Sequence, residues 1–186
     1  CSYRVKLHYS FYTVRVHQIA DLRRLCTRLE NIDAHHAFFL LKNSFSLPKL
    51  LYTLRTSPCF KHQDLLAEYD ETLYSGLEKL CNIKLDSTAR IQASLPARMS
   101  GLGLGSAVRL AVSGYLASVT SCNTLCRGIL GYDFVDPLKE EAMTLWREMS
   151  GQECAPRDAF PQKSWTTPVN QRLYDQLISE SDEQNK

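Results

Sequence analysis

From Tyr3 the apolar residues alternate as Tyr3, Val5, Leu7, Tyr9 and Phe11 around Arg4, Lys6 and His8, and the phase slips near Ser10 before Tyr12, Val14 and Val16. A period of two predicts a short β-like segment over residues 1–18, bulged or turned near Ser10. Beyond it the period lengthens to three or four. Ile19, Leu22, Leu25, Cys26 and Leu29 share one face of a first helix, with Asp21, Arg23, Arg24 and Arg28 around the rest. Asp33 is placed to cap a second helix through Ala37–Leu41, which is apolar all round and so predicted to be central. Pro48 suits the first turn of a third helix reaching Arg55, and Pro58 ends it. Gln63 to Leu80 carries Leu66, Tyr69, Leu73, Leu77 and Leu80 at helical spacing.

Leu95 to Gly105 breaks the pattern: Pro96, Gly101, Gly103 and Gly105 remove helix propensity and predict a shaped loop that turns Leu102 and Leu104 into the core. Ser106 then caps a helix with a ridge of small residues at Ala107, Ala111, Gly114 and Ser118, over which another helix could pass closely. Asp136-Pro137 starts a further helix and Thr167-Pro168 the last, with a linker over Gly151–Thr166 and a frayed tail from Ser179. The fold class is therefore mainly α, a helical bundle with a β-like N-terminal segment. Its expected divisions are residues 1–18, 19–135 and 136–186.

The length of 186 residues and the 44% apolar share are enough for a real core and exclude disorder throughout. A net charge of +2 says little, but its distribution is uneven. Residues 1–60 carry nine basic and three acidic side chains, whereas residues 111–186 carry seven and eleven. Seven cysteines without tight clustering fit reduced thiols and an intracellular setting better than a disulfide scaffold. The 17 uncharged residues Leu110–Cys126 include serines, threonines and an asparagine that a bilayer centre would penalise, so no membrane span is expected. The opening Cys1-Ser2-Tyr3-Arg4, without a secretory pattern, suggests a piece of a longer chain.

Active-site patterns are missing from the residue order. The glycine run lacks the preceding strand and the spacing of a dinucleotide fingerprint. His35, His36, Cys59 and His62 do not have zinc-site spacing, and Cys122 and Cys126 read as buried or half-buried helix thiols. Glu68, Asp70 and Glu71 point in different directions on one helix and read as a solvated face rather than a paired-carboxylate site. No catalytic residue, metal ligand or small-molecule substrate is expected. The best chemical lead is basic: Lys42, Lys49, Arg55 and Lys61 are interleaved with Phe45, Tyr52 and Phe60, the composition of a surface that follows a phosphate backbone.

Three blocks add to this lead. Residues 29–41, ending Asp33-Ala34-His35-His36-Ala37-Phe38-Phe39-Leu40-Leu41, residues 46–60, containing Leu47-Pro48-Lys49-Leu50-Leu51-Tyr52-Thr53-Leu54-Arg55, and residues 92–104, containing Leu95-Pro96-Ala97-Arg98-Met99-Ser100-Gly101-Leu102-Gly103-Leu104, occur in this order. With Leu110-Ala111 and Tyr115–Ser118, they resemble the region after the palm in reverse transcriptases of metazoan non-long-terminal-repeat retrotransposons. The resemblance covers about residues 20–120 and implies a helical thumb that holds a primer and template duplex. It implies no polymerase chemistry here, because palm aspartates hold the family's magnesium ions and the chain has no Asp-Asp pair. The partners it implies are an RNA or DNA duplex and the rest of a polymerase chain. Within the resemblance, Lys49 and Arg55 are the expected phosphate contacts, with Lys42 and Lys61 in support and Tyr52 packing nearby. Arg90, Ser100 and Gly105 depart from the family pattern, which suggests a diverged or decaying copy and puts tight packing of the loop in doubt. The alternatives are an all-helical protein-interaction module or a functionless retroelement relic.

Overall fold

In the computed structural model residues 17–132 and 135–184 are described, with side chains to Glu180. The β-like expectation for residues 1–16 lies outside them, and residues 17 and 18 already belong to a helix. Every regular element among the described residues is helical. In order they are α1 (residues 17–29), α2 (Ala34–Leu40), a π-helical turn (Leu41–Phe45), α3 (Leu47–Thr56), a 3₁₀ turn (Cys59–Lys61), α4 (Gln63–Cys81) and α5 (Ser87–Ser94). A second 3₁₀ turn (Ala97–Met99), α6 (Ala107–Leu130), α7 (Lys139–Ser150) and α8 (Gln162–Gln184) follow.

Local chemistry accounts for most boundaries. The Asp33 carboxylate accepts the His35 and His36 N–H groups at 2.9 and 3.4 Å, and Ser106 Oγ accepts that of Arg109 at 3.4 Å, satisfying donors that a helix start leaves unpaired. Pro48 stands in the first turn of α3, which ends at Thr56 before Pro58. Helix α6 stops at Gly131, whose φ of +75° is open to glycine and costly for a side chain.

Helix α6 is the centre of the molecule, packed against α3, α4, α7 and α8. Ala107, Ala111 and Gly114 on its ridge are buried. A Cβ on Gly114 would lie 3.5 Å from Arg55 Cγ, so the small ridge does admit α3 closely. One apolar cluster includes Leu22, Leu54, Phe60, Leu73, Leu77 and Leu116 together with Trp146, Trp165 and Val169. The core thus runs without interruption from residues 19–135 into α7 and α8. The two indoles meet edge to face, centroids 5.0 Å apart.

Several expectations need correction. Helix α2 is not central: Ala37 is buried, but Phe39 is 63% exposed, because a seven-residue helix at the surface has only one inward side. Leu104 reaches the core and Leu102 does not. The last helix begins at Gln162, five residues before Thr167, since seating Trp165 in the core requires helix there. Pro168 is tolerated inside it, removing one backbone donor. The helix continues to Gln184, in place of a tail frayed from Ser179. Cys126 is half-buried as expected, but Cys122 is exposed, on the turns of α6 beyond its buried stretch Ala107–Ala117. None of the six described cysteines is disulfide-bonded. No helix among the described residues is long and apolar enough to cross a membrane.

The glycine loop is tightly packed, which answers the doubt that its departures raise. Leu95 and Leu104 are buried, and the N–H groups of Gly103, Leu104 and Gly105 donate to Leu95, Ala93 and Ser94 at 2.8, 3.2 and 3.0 Å. A Cβ on Gly101 would fall 2.0 Å from the Leu95 carbonyl oxygen, so the turn has no room for one. Arg90 is absorbed by a pair of carboxylates, Glu71 and Glu78, and lies 5.9 Å from the Tyr74 ring centroid.

Candidate nucleic-acid interface

Helix α3 buries Leu47, Leu50 and Leu54 and turns Lys49 and Tyr52 outward. At 100° per residue Lys49 and Arg55 stand about 120° apart around the axis, with Tyr52 between them. Lys49 and Tyr52 are exposed, whereas Arg55 is half-buried on the flank of the helix that meets α6. Tyr52 is 77% exposed. Lys49 leans towards α1, where its ammonium lies 3.2 Å from the Asp21 carboxylate. On the other flank, the stem of Arg55 runs past Gly114 of α6.

Lys49 and Arg55 differ in their charge partners. The Lys49 ammonium, helped by Arg24, holds the Asp21 carboxyl below its ordinary value. Both partners are well exposed, so water and salt screen the pair and it contributes little to stability. Arg55 has no carboxylate partner among the described residues. Lys61, on the 3₁₀ turn after α3, pairs with Glu141 of α7 at 2.9 Å. Lys42 sits in the π-helical turn, where the Ser46 N–H bonds to the Leu41 carbonyl five residues back at 2.9 Å. Its ammonium lies 6.0 Å from the Phe38 ring centroid and against Gly103 of the glycine loop. Lys49 and Arg55 therefore flank the exposed Tyr52, one leaning towards α1 and the other towards α6, while Lys42 and Lys61 face other elements.

The acidic trio on α4 is not a uniform solvated face. Glu68 pairs with Arg23 and Glu71 with Arg90, both at the surface. Asp70 is turned inward: it accepts the Ser106 hydroxyl at 2.5 Å and the Ala107 N–H at 2.6 Å, so a carboxylate from α4 caps α6. Burial pushes its carboxyl above the ordinary carboxylate value, while the hydrogen bonds from Ser106, Ala107 and Val108 pull it back. This link was not foreseen, because Asp70 and Ser106 are 36 residues apart and nothing in the spacing of either joins them. Among the described residues no three His, Cys, Asp or Glu side chains converge where they could hold a metal ion. The donors of a two-metal centre are thus not assembled within them.

The start of α3 and the turn before it touch the glycine loop. Leu47 Cδ1 lies 2.4 Å from the position of a Cβ on Gly105, and Lys42 Nζ lies 3.0 Å from that of one on Gly103. The segment before α3 is therefore fitted against the glycine loop. Compared with models of protein families, with curated proteins and with solved structures, the chain matches none.

Proposed function

We propose that the chain is a non-catalytic, thumb-like part of a retroelement reverse transcriptase that acts inside the cell and holds an RNA·DNA duplex by its backbone phosphates. The observation that carries this reading is α3, where exposed Lys49 and half-buried Arg55 stand on either side of the exposed Tyr52. Two cations flanking a ring suit a phosphate chain whose sugars pack between the charged contacts, a mode with little sequence preference. Lys42 and Lys61 add charge to either side. In this reading, catalysis and its magnesium belong to a palm outside these residues.

Replacing Lys49 and Arg55 together by alanine should weaken binding of an RNA·DNA hybrid and reduce the slope of log affinity against log salt by up to about two, one for each lost phosphate contact. An unchanged slope overturns the assignment. The second reading, an all-helical protein-interaction module, draws on the far end of α6, where Leu125, Ile129 and Tyr132 are 64%, 75% and 61% exposed. Specific capture of a protein by a chain that ignores RNA·DNA hybrids would favour it.

A further inference from the structure

A cleft of about 260 Å³ opens between the glycine loop, the first turns of α6 and the start of α8. Its polar lining includes Ser94, Arg109, Ser113, Gln162, Thr166 and Asn170, and no carboxylate among the described residues lines it. Arg109 is half-buried. One guanidinium nitrogen donates to Ser94 Oγ and Arg109 also hydrogen-bonds the Tyr74 hydroxyl; the five-donor fork has donors beyond these two. One helical turn further along the same face, Ser113 is fully buried and its hydroxyl has no hydrogen-bond partner among the described residues. A buried hydroxyl left unpaired costs free energy, so one lining a cleft marks a place for an acceptor.

The charge around the cleft points to the class of acceptor. Lys42 Nζ stands at the Gly103 rim and adds a second cation. Asp70 is the acidic group behind the α6 terminus, but its oxygens are taken by the Ser106 hydroxyl and the Ala107 and Val108 N–H groups. The Arg109 charge acts on this carboxylate and lowers it against the rise that burial causes, without a direct contact between them. A half-buried guanidinium beside an unused hydroxyl suits a tetrahedral oxyanion with several acceptor oxygens.

We propose that this cleft is a phosphate site in which Arg109 holds a phosphate oxygen, Ser113 donates its hydroxyl to another, and Lys42 supplies charge at the rim. The phosphate belongs either to a free small molecule or to a nucleic-acid strand. The inference shares only Lys42 with the α3 reading, since Lys49, Tyr52 and Arg55 do not line the cleft.

The test is calorimetric titration of the full chain with inorganic phosphate, with thymidine 5′-monophosphate and with an RNA·DNA hybrid. It compares the unaltered protein with Arg109→Gln, Ser113→Ala and the Lys49→Ala/Arg55→Ala pair. Arg109→Gln should weaken binding about tenfold, as expected for a lost charge-assisted hydrogen bond, and Ser113→Ala about threefold. Removing an unpaired buried hydroxyl does not harm folding, so Ser113→Ala stays informative even if Arg109→Gln unfolds. Loss for the two free probes identifies a small-molecule site; loss for the hybrid alone identifies a strand phosphate. If Ser113→Ala binds every probe as tightly as the unaltered chain, the proposal is overturned. The Lys49/Arg55 pair should keep its affinity for inorganic phosphate whatever it does to the hybrid, which separates the two readings.

Discussion

Asp70 occupies a position usually filled from within a helix. It is a carboxylate supplied by α4 to the unpaired amides that open α6, with Ser106 as go-between. Asp70→Asn keeps the shape but replaces charge-assisted acceptance with a weaker amide contact, and should cost about 2 kcal/mol. For a chain of this size that lowers the melting temperature by roughly 4–8 °C. Arg90 provides a pH test. Its hydrogen bond holds Glu71 below the ordinary 4.5, and Glu78 is lowered first by the Leu85 N–H and then by Arg90. Carboxylates with lowered folded values stabilise the fold above their unfolded value, and that stability is lost as pH falls through the folded value. Arg90→Met should therefore flatten the loss of stability between about pH 5 and about pH 3, read from melts across that range. Tyr52 separates binding from folding: Tyr52→Ala should move stability by less than about 0.5 kcal/mol, as for an exposed side chain, while lowering hybrid affinity several-fold.

Between elements, α1 and α4 approach closely, so that a Cβ on Gly76 would lie 2.5 Å from Cys26 Sγ. Gly76→Ala should cost about 1–2 kcal/mol in urea unfolding, after the gain in helix propensity is counted. Cys26→Ala in the same chain should recover most of that cost; equal costs in both backgrounds would mean that the two positions do not press on each other. Helix starts were legible where a side chain caps its own helix, as at Asp33 and Ser106, because that chemistry is local. The start of α8 was not, because the core position of Trp165 overrides the stop that Thr167-Pro168 spells out. The α2 run misled because apolar composition says nothing about how few sides of a short surface helix face inward. In the candidate interface, Lys49, Tyr52 and Arg55 were readable at three-residue steps along one helix. Arg109 and Ser113 were not singled out, since their cleft is assembled from the glycine loop, α6 and α8, segments far apart in the chain.

At the scale of the whole molecule, the continuous core makes a prediction about cooperativity. Both tryptophans are 1% exposed, and Trp146 Nε1 donates to the Trp165 carbonyl at 2.9 Å, so their fluorescence reports the seating of α7 and α8. Circular dichroism reports helix throughout. If residues 136–186 share the core of the rest, the two melting curves should coincide, as for a single cooperative unit. An earlier fluorescence transition would show α7 and α8 leaving first.

Pro168 stands two turns into α8 and brings no amide hydrogen, so the Ser164 carbonyl lacks the donor that a continuous ladder would supply. Upstream, the chain is anchored twice, by the Trp146 indole on the Trp165 carbonyl and by the Trp165 indole on that of Ala159 at 2.7 Å. Downstream, the turns after Leu173 are mostly exposed up to Glu180. Deuterium uptake followed by mass spectrometry should divide this single rod at the proline, with slow labelling before it and fast labelling after it.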